Sequence, residues 1–107
     1  MIASAAAIAL DSYVLDVLMR DLVGHDKKPS AFIVYLYLAV RIEREMSHCV
    51  QASYSTIASA TGLSKSAVQH AIGHLKRRRL IIVSRDSPTS TPRYRLHRHW
   101  RLRLRGV

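Results

Sequence analysis

The stretch from Ser53 to Val83, which reads SYSTIASATGLSKSAVQHAIGHLKRRRLIIV, leaves the chain few ways to fold. It contains two short helical periodicities, each introduced by a serine and separated by Thr61-Gly62-Leu63. Ser53 is suited to cap a helix over Tyr54 to Ala60, because a serine hydroxyl accepts a bond from an otherwise unpaired first-turn N–H. Ile57 and Ala58 would face inward. Gly62 can take the positive φ that a tight turn requires. Ser64 then caps a further helix in which Val68, Ala71, Ile72 and Leu75 share one face, leaving Lys65, Ser66, Gln69, His70, Gly73 and His74 outside.

After Leu80 the period changes. Leu80 to Val83 is a short β-branched run, Arg85 to Pro92 has turn chemistry in Asp86-Ser87-Pro88 and Thr91-Pro92, and alternation resumes at Arg93 through Tyr94 and Leu96. These features predict a hairpin with a loose tip. From Arg93 to Arg105 arginines alternate with Tyr94, Leu96, Trp100, Leu102 and Leu104, a pattern that fits either strand or helix. Trp100 reads as a core or dimer contact.

Upstream, Leu10, Tyr13, Val14, Val17, Leu18 and Leu22 recur at helical steps, predicting a helix from about Ala3 to Val23 that stops at Gly24. Its acids, Asp11, Asp16, Asp21 and Asp26, are five residues apart, a spacing that turns them around an α-helix instead of gathering them. Ser30 is positioned to cap a second helix, Ala31 to about Met46, with a strand over Phe32 to Val40 as the competing reading. That segment is apolar on more than one side, so it either forms the centre of the domain or meets a second subunit. His48 to Ala52 reads as a linker or short strand.

With 107 residues, the chain has room for one compact domain and not for two catalytic ones. Its net charge of +10 is unevenly placed: residues 1–60 sum to −1 and residues 61–107 to +11. Such a cationic half points to a polyanionic partner. The single cysteine, Cys49, can form no intrachain disulfide, which fits a reducing compartment, and a cytoplasmic location is expected. The longest apolar run, Ala31 to Val40, has ten residues against the roughly 20 that span a bilayer. No membrane span is expected, and the apolar N-terminus lacks the basic region of a secretory signal.

The residues Ile57-Ala58, Thr61-Gly62-Leu63-Ser64, Val68, Leu75 and Leu80-Ile81 carry a resemblance. Ser53 to about Leu96 resembles the winged helix-turn-helix domains of bacterial and phage transcription regulators, such as the multiple-antibiotic-resistance and gluconate-operon repressor families. It implies a mainly α, α+β fold with two N-terminal helices and a two-stranded β-wing. One domain is expected over 1–107, divided into N-terminal helices (1–52, with dimer or core contacts), helix-turn-helix (53–79), wing (80–98) and basic tail (99–107). Those families usually carry a glycine just before the Leu-Ile pair, where this chain has Arg79.

The function expected is sequence-specific binding of double-stranded DNA by a small, homodimeric transcription regulator that occupies an operator. The major groove admits one α-helix whose outer face carries small or hydrogen-bonding side chains. Lys65, Ser66, Gln69 and His70 are the candidates for reading bases. Ser53, Ser55, Ser64, His74 and the run Lys76-Arg77-Arg78-Arg79 are candidates for phosphate contact, with Arg85, Arg93 and Arg95 on the wing. The competing readings are a plasmid or phage replication-initiation or partition protein, and a winged helix that binds protein. His70 and His74 are four residues apart, but no third metal ligand accompanies them. The chain has no phosphate-binding glycine loop, no Gly-x-Ser-x-Gly and no His-Glu-x-x-His. Neither catalysis nor a cofactor is expected.

Overall fold

A computed structural model describes residues 7–101. The chain runs through a π-helical segment (Val14–Leu18 and Arg20–His25), α1 (Pro29–Glu45), β1 (Val50–Gln51), α2 (Tyr54–Thr61), α3 (Lys65–Arg77), β2 (Ile81–Ser84) and β3 (Arg93–Leu96). It is mainly helical, with one small antiparallel sheet in the order β1-β3-β2.

The first helical segment departs from the sequence expectation in position and in pitch. Among the described residues it starts at Ser12, not near Ala3, and it continues through Gly24 to His25. Residues 3–6 of the expected helix lie outside the described residues. Gly24 does not stop the segment; the chain leaves it only at Lys27, which takes a φ of 56°. The i→i+5 bonding of a π-helix brings residues five apart nearly into line. Asp21 and Asp26 consequently converge on one arginine, Arg78, which lies 3.7 Å from the first and 2.9 Å from the second. The expectation that the five-residue spacing scatters the acids fails for Asp21 and Asp26 for that reason and holds for Asp11, which pairs with Arg101, and for Asp16, which is exposed. Val14, Leu18 and Leu22 are the buried side of the segment.

α1 begins at Pro29, two residues earlier than predicted, and Ser30 is not its cap. Pro29 stands at the first helical position, where its missing N–H and fixed φ cost nothing, and Lys28 occupies the cap position without a side-chain bond. The helix ends at Glu45, with Met46 left-handed at φ 51°. α1 is helical throughout the stretch that could have been a strand, and it runs through the centre of the molecule. Val34, Tyr35 and Leu38 are fully buried. Burial pushes the Tyr35 hydroxyl up to about 12.

The two-stranded hairpin is joined by a third strand, β1, within the His48 to Ala52 stretch that reads as a linker or a short strand. Val50 and Gln51 pair with Tyr94 and Arg93, so β3 is the central strand and β2 the outer member of the hairpin. The third strand has only two residues, too few for an alternating pattern to register in sequence. Val50, Ile81, Val83, Tyr94 and Leu96 line the core face, while Ile82, Ser84 and Arg95 face outward.

Past β3, His99 to Arg101 form a helical turn that docks on the start of the chain. The Trp100 ring stacks on Tyr13 at 4.4 Å, and its indole N–H donates to Asp11 at 2.7 Å. Arg101 donates to both oxygens of Asp11, at 2.7 and 2.8 Å. The tail thus passes from strand to helix; its remainder, with Leu102 and Leu104, lies outside the described residues.

Candidate nucleic-acid interface

The local rules that set this site are those of capping. The Ser53 hydroxyl accepts from the Thr56 N–H at 3.1 Å and starts α2. Gly62, at φ 83°, donates its N–H to the Ala58 carbonyl and ends it. Thr61 steadies the turn, donating its hydroxyl to the Ile57 carbonyl at 2.7 Å while accepting from the Leu63 N–H. The Ser64 hydroxyl accepts from the Ala67 N–H at 3.0 Å and starts α3. Between the two helices only Gly62, Leu63 and Ser64 intervene.

α3 is two-sided. Val68, Ala71, Ile72 and Leu75 are buried against the rest of the core, while Lys65, Ser66, Gln69 and His70 are exposed. Ser55, Ser64, Lys76, Arg77 and Arg79 are exposed too, and Ser53 is half-buried. α3 contains no acidic residue.

At the end of α3, Arg79 occupies the position where the resembling families carry glycine, and its φ is 58°. The Leu80 N–H donates to Leu75 and the Arg79 N–H to Lys76, each at 3.0 Å. That pair of bonds defines a Schellman ending with Arg79 in its left-handed place. The geometry a glycine would supply is therefore kept by an arginine. The Arg79 carbonyl is bonded by the His97 ring at 2.9 Å, which ties the helix end to the strand leaving the sheet.

Two of the predicted residues are turned toward the N-terminal segment. His74 is bonded through Nε2 to Asp26 at 2.8 Å, and Arg78 donates to the same carboxylate. His70 is exposed and His74 faces Asp26, so the two rings are not paired by the structure. The Asp26 side chain is only 8% exposed. The bond from His25, with those from His74 and Arg78, outweighs burial and holds its carboxyl at about 2.

The structure gathers four other predicted residues into one cleft of about 290 Å³. Ser53 and Ser55 come from the start of α2, Lys65 from the start of α3 and Arg85 from the hairpin, which also contributes Ser90 and Thr91. Arg85 donates to the Ser90 carbonyl at 2.9 Å. Hydroxyls, two cations and the positive ends of helices suit this cleft to an anion. Arg93 lies apart, paired through two bonds of 2.8 and 3.0 Å to Asp86, which hold the Asp86 carboxyl below the usual range. Arg95 stands exposed on the outward face of β3.

Lys28 is the functional candidate that sequence reasoning missed. With Gln69, His70, Gly73 and Arg77 it lines an open cleft of about 460 Å³ along α3. The available signal was Lys27-Lys28, a basic pair just before a helix-starting proline in the otherwise neutral half.

Residues 25–81 match a family of helix-turn-helix domains. The chain belongs to this family. The matched span covers α1, α2 and α3 and reaches the first residue of β2. α1 is thus part of the helix-turn-helix domain, and Lys28 falls within it. Helix-turn-helix domains are DNA-binding modules, which accounts for the cationic outer face of α3. No curated protein and no solved structure matches the chain. No helix among the described residues is long and apolar enough to cross a membrane.

Proposed function

We propose that this helix-turn-helix protein binds double-stranded DNA sequence-specifically, as a small homodimeric transcription regulator that works by occupying an operator. The observation that carries the reading is the two-sidedness of α3: a buried apolar face fixes the helix, and Lys65, Ser66, Gln69 and His70 remain exposed on the other. Gln can pair bidentately with adenine, Lys can donate to guanine and Ser can approach either a base or a phosphate. α3 enters the major groove and these four side chains read base edges.

In this reading the β2–β3 hairpin is the wing of a winged helix. Ser53, Ser55, Ser64, Lys76, Arg77 and Arg79 hold phosphates, Lys28 joins them, and Arg85 and Arg95 contact the backbone from the wing. Arg93 sets the hairpin tip through Asp86. His74 and Arg78 position α3 through Asp26. The protein works in the cytoplasm, on the nucleoid, and needs no cofactor.

The test is selection from a randomised duplex pool at about 150 mM salt, where nonspecific phosphate attraction is weakened. A two-fold symmetric motif with half-sites about one helical turn apart is the expected result. Enrichment of direct repeats would favour a replication initiator instead, and retention without enrichment would overturn sequence-specific reading. No retention at all would leave a winged helix that binds protein.

A further inference from the structure

α3 carries a glycine in its interior, and nothing in the fold calls for one there. Gly73 lies within Lys65–Arg77 and is not among the residues with a positive φ. A methyl group on its Cα would meet only the far end of the Arg77 side chain, with Nη1 at 3.4 Å. An alanine would therefore fit, and it would make the better helix, because glycine is the poorest helix former after proline. What glycine adds at such a position is a backbone without a Cβ, which another molecule can approach closely.

Gly73 stands in the row of α3 that the DNA-binding reading turns toward the duplex. Ser66, then Gln69 and His70, then Gly73, then Arg77 follow one another at three- and four-residue steps, which puts them on one face of the helix. Gly73 lies about 6 Å farther along the axis than Gln69, past the side chains assigned to base edges and one turn before Arg77. It is half-buried and lines the open cleft that Lys28, Gln69, His70 and Arg77 complete. Lys28 comes from the start of α1 and Arg77 from the end of α3, so the cleft has cations from two elements and no acid in its lining.

We propose that Gly73 is the seat of one DNA backbone phosphate: the phosphodiester lies against the bare Cα of Gly73 and is held by Lys28 and Arg77. This rests on the DNA-binding reading above and deepens it by naming the point where α3 passes from the bases to the backbone. A phosphate is assigned, and not a base, because Gly73 has no side chain to reach a base edge while two cations share its cleft.

The substitutions that test the seat improve the helix and obstruct the approach. Gly73→Ala and Gly73→Leu each replace glycine by a better helix former, so both should raise Tm by a few degrees. Fluorescence anisotropy on duplexes retained in the selection described above should show the dissociation constant of the full chain rising about tenfold for Gly73→Ala, the size of one lost charge-assisted contact, and further for Gly73→Leu. Affinity lost by a more stable protein cannot come from damaged folding. Selection repeated with Gly73→Ala should return the parent's motif, since phosphate contacts carry no sequence information. A Gly73→Ala variant that binds as tightly as the parent would overturn the seat and leave DNA binding intact. A lower Tm would show that the fold itself needs this glycine, and an altered motif would put a base at Gly73; either result would overturn the proposal. A parent that retains no duplex would overturn the DNA-binding reading and the seat together.

Discussion

His74 and Asp26 are 48 residues apart in sequence and 2.8 Å apart in space. The bond joins the C-terminal half of α3 to the end of the π-helical segment, and Arg78 donates to the same carboxylate one helical turn later. Three donors around one nearly buried acid make this contact a brace for α3.

Removing the charge tests the brace. Asp26→Asn should cost about 1.5–3 kcal/mol, the range for hydrogen bonds to charged groups, read as a lower urea midpoint. A pH dependence should accompany it. The Asp26 carboxyl is lowered to about 2 from 3.8, so its contribution is complete above pH 4 and disappears as the pH falls toward 2. The variant should lose less stability than the parent over that window; an identical pH profile would mean that the brace does not stabilise the fold.

Arg79 makes a second case. A left-handed conformation costs an ordinary residue roughly 1–2 kcal/mol, and glycine escapes that cost but gives up part of the gain to a more disordered unfolded chain. Arg79→Gly should therefore stabilise the protein by about 0.5–1 kcal/mol, a rise of a few degrees in Tm. If Arg79 also touches phosphate, the same variant should bind DNA more weakly at low salt. An arginine that trades stability for affinity would then explain why glycine is missing. A melting temperature that falls would remove this account of the site.

The helix-turn-helix was legible because its signals are local. Ser53, Gly62 and Ser64 each act within three or four residues, and Val68, Ala71, Ile72 and Leu75 repeat on one face. The long-range features left little trace. Nothing near Asp26 announces Arg78, since their meeting depends on a π-helical pitch that apolar spacing alone does not reveal. β1 has only Val50 and Gln51 to declare itself, and it forms because Tyr94 and Arg93 arrive beside it. Ser30 was a sound cap by type, displaced by a proline one position earlier. Lys28 was hidden by its own segment, since its role depends on which face of α3 lies beside the start of α1.

Base reading and phosphate clamping predict different salt behaviour. Gln69→Ala should cost about 1–3 kcal/mol on the preferred duplex and relax selection at one position, with the salt dependence unchanged. Arg77→Ala, in the cleft with Lys28, should weaken binding to all duplexes and reduce the slope of log K against log salt by about one. Lys28→Ala should behave like Arg77→Ala. Should the three variants give one common slope and one common specificity profile, the division of labour along α3 would be refuted.

Trp100 is the chain's only tryptophan, so its fluorescence reports one contact. Its indole N–H donates to Asp11, whose carboxyl the Arg101 guanidinium chiefly holds at about 2 against the opposing effect of burial. The sign follows from that depression: the carboxylate favours the docked turn above pH 4, and protonating it as the pH falls toward 2 releases both Trp100 and Arg101. The emission maximum should shift to the red over that window, as the ring leaves Tyr13 for water. Asp11→Asn should show the red-shifted spectrum already at neutral pH and lose about 1–3 kcal/mol of stability, since one acceptor serves two donors. The N-terminal segment should loosen with it, because Tyr13, two residues after Asp11, stacks on Trp100. A variant whose spectrum and urea midpoint match the parent's would show that the stack on Tyr13 holds the turn without the acid.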